Sequence, residues 1–203
     1  MIYSIFGYGK GKTEASIGMT IRAIQNKDKV YYCQFLKDGN SSELVLFRTH
    51  FQEYVTTNST FTKAITLPKN VKEDDIVRCD ILLSNIKTVI DNKSFTDYKL
   101  IVMDEILPAL DMKLVELSDL IDIINKAKSN NIDICMTGRI RSHELRKQII
   151  ELSDICSNCY CEKHSYNTHC DKCNQDYKYH YVYCPQCGSK LKVSQPAQKG
   201  RDF

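Results

Sequence analysis

The constraint that most limits the fold lies at the start of the chain. An apolar run, "MIYSIF", meets a glycine-rich turn and then a helical pattern in "KTEASIGMTIRAIQNK". Within "FGYGKGKTEAS" the glycines are Gly7, Gly9 and Gly11, followed by Lys12 and Thr13. A turn of this kind between a strand and a helix aims backbone N–H groups at phosphate oxygens, and the helix N-terminus adds a favourable field for an anion. Lys12 then neutralises phosphate charge, and the Thr13 hydroxyl is a ligand for Mg²⁺. The spacing departs from the common G-x-x-x-x-G-K-[ST] loop, because Phe6 stands where its first glycine would be. The competing reading is a lysine-rich turn with chance glycines. The strand before it and the helix after it argue for the phosphate loop.

The same alternation continues. "KVYYCQFLK" reads as a strand and "SSELVLFRTHF" as a helix opened by a serine cap. "VKEDDIVRCDILLSNIKTVIDNK" reads as a long amphipathic helix with apolar residues at Ile76, Val77, Ile81, Leu82, Ile86, Val89 and Ile90. "YKLIVMDE" is a continuous apolar run ending in two acids, as expected of a strand buried on both faces. "VELSDLIDIINKAKS", "IDICMTG" and "SHELRKQIIELS" add a helix, a strand and a helix capped by Ser142. Between Phe51 and Asn70 a strand and a loop are expected. Alternating strands and helices predict an α/β fold, a mostly parallel, P-loop-like sheet with helices on both faces.

Two further signals fall at strand ends. Asp104 and Glu105 close "LIVMDE" at the carboxyl edge of the sheet, where ligands of open α/β folds bind, and either acid suits Mg²⁺ directly or through water. Arg139 follows a strand and a glycine in "MTGRIRS", placed to meet phosphate or to lie on the surface.

The segments "GYGKGKTEAS", "YYCQFLKDGNSSEL", "KLIVMDEI", "CMTGR" and "EKH" stand in the order and approximate spacing of the corrinoid adenosyltransferases. The chain resembles that family over roughly Met1–His164, and its tail "AQKGRDF" resembles the family's ending. The family's loop is similar to G-N-G-K-G-K-T, which makes the spacing of Gly7, Gly9 and Gly11 a family variant. Three differences accompany the likeness. Tyr8 replaces the loop asparagine, the first strand begins at residue 1, and "STFTKAITLPKN" stands where the family has an aromatic stretch near its corrinoid pocket.

The resemblance implies an ATP:corrinoid adenosyltransferase. A Co(I) corrinoid attacks the 5′ carbon of ATP and triphosphate leaves. By that likeness Gly7, Gly9, Lys10, Gly11, Lys12, Thr13 and Asp104 hold the nucleotide with Mg²⁺. Lys12, Glu105 and Arg139 form the catalytic set, Glu105 near the metal or the ribose and Arg139 facing the phosphates. The family's usual dimeric state implies a homodimer. Two other readings remain at this point: a thymidine-kinase-like nucleoside kinase, and a non-catalytic ATP-binding protein with a docking module.

Ten cysteines in 203 residues need an explanation, and seven of them lie between Cys156 and Cys187. No secretory leader is recognisable in "MIYSIFGYG", so metal binding in a cytoplasmic protein is expected in preference to disulfides. Cys170, Cys173, Cys184 and Cys187 have the C-x2-C-x10-C-x2-C spacing of a structural Zn²⁺ ribbon. In "CSNCYC", buried small hydrophobes on a last strand compete with a second metal site involving His164 or His169, or an iron–sulfur cluster. The expected organisation is a nucleotide-binding domain over residues 1–164, a ribbon over 165–193, and a tail over 194–203 returning to the main domain. The ribbon would act as a lid or as a surface for a docking partner. A formal charge of +3 is too mild to argue for nucleic acid or an anionic membrane, so neither is expected as a partner, and no apolar run reaches membrane-spanning length.

Overall fold

The computed structural model describes residues 1–61, 71–92, 97–160, 167–178, 183–184 and 186–194. The chain divides into two compact units, Met1–Cys159 and Tyr160–Phe203. Expectations for 62–70, Cys161, Lys163, His164, His180 and the tail from 197 lie outside the described residues.

In the first unit β1 (Ile2–Phe6) leads into α1 (Lys12–Gln25), and β2 (Lys29–Gln34) into α2 (Ser42–His50). Then come β3 (Val55–Asn58), α3 (Glu73–Asp91), β4 (Tyr98–Asp104), α4 (Ile106–Asp111), α5 (Leu117–Ser129), β5 (Asp133–Gly138), α6 (His143–Leu152) and β6 (Ile155–Asn158). The six strands lie in the order β3-β2-β4-β5-β1-β6, and every pairing between them is parallel. Parallel neighbours need long crossovers, and helices supply them while covering both faces.

The pleat sends alternate residues into two cores. Tyr31, Cys33, Ile101, Met103, Ile134 and Met136 meet Leu82 and Ile86 of α3, Leu107 of α4, Ile123 of α5 and Ile149 of α6. The intervening residues Val30, Tyr32, Leu100, Val102 and Cys135 meet Leu44 and Phe47 of α2, with Ile17 and Met19 of α1 beside them. Because both parities are buried, the strands read as unbroken apolar runs rather than alternating ones.

Two details differ from the periodicity. The buried stripe of α3 is Cys79, Leu82, Leu83, Ile86 and Ile90, while Ile76, Val77 and Ile81 stay exposed. A helix lying on a sheet buries one stripe, and these three fall off it. The short helix α4 follows Glu105 with no periodic signal of its own. Pro108 is tolerated there because the first turn of a helix needs no N–H partner. The Ser142 cap is as expected, its Oγ accepting from the Leu145 N–H at 3.2 Å.

Gly138 closes β5 at φ 137°, where a Cβ would lie 2.1 Å from Pro108 Cδ. Gly138→Ala is therefore expected to lower the unfolding free energy by about 2 kcal/mol, combining backbone strain with overpacking. Urea unfolding of the variant checks this, and an unchanged midpoint would show that the α4–β5 junction yields without cost.

The second unit holds β7 (Asn167–Cys170), β8 (Gln175–Lys178) and β9 (Lys192–Ser194) in an antiparallel sheet ordered β8-β7-β9. Its buried residues include Cys170, Cys184 and Leu191, with Cys173, Tyr177 and Cys187 packed against them.

Candidate functional site

Several chain segments of the first unit come together at the carboxyl edge of the parallel sheet. They are the loop after β1, the turn after β2, the end of β4 with α4, and the end of β5. They line a cavity of about 590 Å³ that includes Gly9, Lys10, Gly11, Lys12, Thr13, Lys37, Glu105, Arg139 and Arg141. Strand order explains the meeting: β4 and β5 lie between β2 and β1, so the ends of all four are neighbours.

The loop geometry rests on two glycines with left-handed backbone. Gly7 has φ 115°, and a Cβ there would lie 2.4 Å from Asn158 Oδ1 and from the Cys159 carbonyl. Gly11 has φ 105° and is the residue just before α1, at its N-cap. The Gly9 N–H donates to the Cys159 carbonyl at 2.8 Å, which fastens the loop to the residue after β6. Lys12 Nζ donates to the Gly9 carbonyl at 2.5 Å across the turn. Burial, and then the Arg139 charge, push the Lys12 ammonium below its ordinary value, while Glu105, Cys159 and Glu14 oppose the shift. An anion placed among these groups would relieve both effects.

Asp104 is completely buried and receives four donors. Its Oδ1 accepts from Thr137 Oγ1 at 2.6 Å and Thr13 Oγ1 at 3.1 Å. Its Oδ2 accepts from Lys37 Nζ at 2.8 Å and Gln34 Nε2 at 3.2 Å. Gln34 Nε2 also donates to Glu43 Oε1 at 2.8 Å, and Ser41 Oγ donates to Gln34 Oε1 at 3.0 Å. The Thr13 hydroxyl at the cavity wall offers a hard oxygen of the type that suits Mg²⁺, while both carboxylate oxygens of Asp104 behind it are taken by donors.

Glu105 sits at φ 61°, and its N–H donates to Thr137 Oγ1 at 3.1 Å. Burial, then the neighbouring Asp104 carboxylate, raise the Glu105 carboxyl above its ordinary value, with Lys37, Lys12 and Arg139 pulling partly back. Such a group costs nothing below its unfolded value of 4.5 and destabilises the fold increasingly as pH rises through its folded value. Glu105→Gln is therefore expected to be more stable than the parent at about pH 8, with the advantage fading towards about pH 4. Urea unfolding at the two pH values tests the sign.

Of the sequence-predicted residues, Gly9, Lys10, Gly11, Lys12, Thr13, Glu105 and Arg139 line the cavity, with Asp104 behind Thr13, whereas Gly7 is not in its lining and lies against Asn158 and Cys159. Gln34, Lys37, Ser41, Thr137 and Arg141 join them without having been assigned a part. The signal was available in "QFLK" and "MTGRIR", where polar residues follow apolar strands at the same sheet edge. In "CSNCYC", the reading as buried small hydrophobes fails at Cys156, which is exposed. It lies on β6, an edge strand whose neighbour Ile155 is also exposed. Cys159 is half-buried against the α1-side core. In the second unit the ligand atoms of Cys170, Cys173, Cys184 and Cys187 all lie within 4.8 Å of one another.

A parallel sheet with a glycine-rich β1–α1 turn, and an acid from β4, two strands away, on the loop threonine, defines the phosphate-loop-like α/β class. The comparisons narrow this. Residues 1–174 match the family model described as ATP:corrinoid adenosyltransferase BtuR/CobO/CobP, and the chain belongs to that family, which makes it a transferase. A corrinoid adenosyltransferase of Escherichia coli strain K12 is 25% identical over 162 residues, covering 79% of this chain and 76% of that protein. A Sinorhizobium corrinoid adenosyltransferase is 23% identical over 163 residues, covering 80% and 72%. The uncharacterized protein all2391 of Nostoc is 26% identical over 171 residues. The match covers 79% of this chain but only 43% of that longer protein. Among solved structures, the flagellar accessory protein FlaH of Methanocaldococcus jannaschii superposes with a TM-score of 0.51 at 10% identity. That match covers 83% of this chain and 71% of FlaH, a likeness of fold alone. Among the described residues no helix is long and apolar enough to cross a membrane.

Proposed function

We propose that the protein transfers the 5′-deoxyadenosyl group of ATP to a Co(I) corrinoid. The cobalt electron pair forms the Co–C bond, the bond from the 5′ carbon to oxygen breaks, and its electrons leave with triphosphate. The observation that carries the reading is the Thr13–Asp104 contact beside Lys12, at the foot of a cavity lined by the glycine loop. Family membership supplies the reaction class.

In this reading Gly7 and Gly11 set the loop's backbone, and Gly9, Lys10, Gly11, Lys12 and Thr13 surround the triphosphate. Thr13 would hold Mg²⁺, with Asp104 behind it fixing the Thr13 hydroxyl, and the ion would supply positive charge for the polyphosphate. Lys12 and Arg139 stabilise the charge that gathers on the leaving oxygens. Here the loop stabilises a leaving group and no phosphoryl group is transferred, yet both tasks need charge stabilisation at phosphate oxygens. Glu105, with its raised carboxyl, faces the metal or the ribose. The corrinoid brings the nucleophile and the protein contributes position and field.

The test is product analysis. Purified protein with Mg–ATP and chemically reduced cobalamin is expected to yield adenosylcobalamin and inorganic triphosphate in equal amounts. ADP with a nucleoside monophosphate, formed when thymidine replaces cobalamin, would replace this reading with a nucleoside kinase.

A further inference from the structure

The second unit contains more thiol chemistry than its small core can use. Cys170 and Cys173 flank the first residues of the β7–β8 turn, and Cys184 and Cys187 belong to a second turn before β9. In that second turn the Gly188 N–H donates to the Cys184 carbonyl at 2.9 Å, and the Cys184 N–H donates to the Ser189 carbonyl at 2.7 Å. Gly188 has φ 69°, the left-handed conformation that lets a short knuckle close. Each turn thus aims two sulfur atoms at one point.

The distances fit a single ion. Cys170 Sγ lies 3.6 Å from Cys187 Sγ, and Cys184 Sγ lies 3.9 Å from Cys173 Sγ. Four sulfurs at about 2.3 Å from a tetrahedral Zn²⁺ are roughly 3.8 Å apart. All four within 4.8 Å leave no room for the several iron and sulfide atoms of a cluster. Two hydroxyls complete the surroundings. Tyr177 Oη lies 3.3 Å from Cys184 Sγ, and Ser189 Oγ lies 3.3 Å from Cys187 Sγ. A thiolate has no proton to give, so with metal bound both hydroxyls can serve only as donors to sulfur; the Tyr177 hydroxyl, which here donates to Gln186 Oε1 at 3.4 Å, would turn its proton to Cys184 Sγ.

We propose that Cys170, Cys173, Cys184 and Cys187 form a closed tetrathiolate Zn²⁺ site, supported by hydrogen bonds from the Tyr177 and Ser189 hydroxyls. The site orders the second unit. Four thiolates leave no coordination position for a reacting water, so it is structural. Among the described residues the unit's buried apolar side chains, Cys170, Cys184 and Leu191, are too few to order it alone, and metal binding supplies the missing folding energy. Zinc is favoured over a single ferrous ion because it stands higher in the divalent affinity order for the same sulfur donors. The inference is independent of adenosyl transfer.

The experiment uses the full chain, purified under reducing conditions from medium containing both zinc and iron. Elemental analysis is expected to give one zinc per chain. Replacement by Co²⁺ is expected to produce the sulfur-to-cobalt charge-transfer absorption of a tetrahedral four-sulfur site. Cys173→Ser and Cys187→Ser should each lose that spectrum. Removing a thiolate also removes what orders the segment, so Tyr177→Phe, which keeps every ligand, forms the second arm. It should retain one zinc but bind it about 10-fold more weakly in competition with a chromophoric chelator. Iron in place of zinc, a cobalt spectrum without four sulfurs, or no bound metal would overturn the site. Unchanged zinc affinity in Tyr177→Phe would overturn the part given to its hydroxyl.

Discussion

Lys12→Ala is expected to weaken Mg–ATP binding by about 10- to 100-fold, the usual scale for removing one hydrogen bond to a charged group. The ammonium is held at the cavity wall by burial and by the Gly9 carbonyl, and among the described residues no other cation belongs to the first turn of α1. Lys10 and Arg139 line the same cavity but come from other positions around it. The folded state already disfavours the charged form of Lys12, so removing the charge relieves a strained group instead of breaking an ion pair. Calorimetric titration with Mg–ATP, run beside a thermal unfolding curve, separates the two effects. Wild-type affinity in a folded variant would remove the phosphate cradle from the proposed function.

Asp104→Asn is expected to cost about 3–5 kcal/mol of stability, the range for breaking a buried ion pair by removing one partner. Four donors converge on a carboxylate with no solvent exposure. An asparagine amide adds donors where only acceptors fit, so at least one of Thr13, Thr137, Gln34 or Lys37 loses its partner. Lys37 suffers most. Burial alone would lower its ammonium, but the Asp104 charge and hydrogen bond outweigh that and hold it above its ordinary value. A raised lysine contributes stability that is fully present below the unfolded value of 10.5 and is lost as pH rises through the folded value. Urea unfolding at neutral pH therefore reads the whole contribution. A loss below about 1 kcal/mol would mean that water enters and satisfies the orphaned groups.

The phosphate-loop reading needed only local order. Strand, glycine turn and helix are consecutive, so Gly7, Gly11, Lys12 and Thr13 were legible without any distant contact. The alternation of elements was legible for the same reason, since burial on both faces writes unbroken apolar runs into the strands. The cysteine spacing likewise announced two knuckles. Less was readable where burial depends on neighbours. Ile76, Val77 and Ile81 look like core residues in a helix pattern, yet the stripe that meets the sheet lies one step round the helix. Cys156 looks like a small core residue, yet its strand forms the sheet edge.

What the sequence by itself determined was the kind of structure each segment makes and the glycine-rich turn between β1 and α1, because both follow from backbone preferences and burial along a few consecutive residues. Only the tertiary structure decided which acid serves which partner. Placing β4 between β2 and β5, with β1 on the far side of β5, set Asp104 among Thr13, Gln34, Lys37 and Thr137. Those residues are up to 124 positions apart in the chain, from Thr13 to Thr137. Strand order is fixed by the packing of the whole sheet, and no local pattern encodes it.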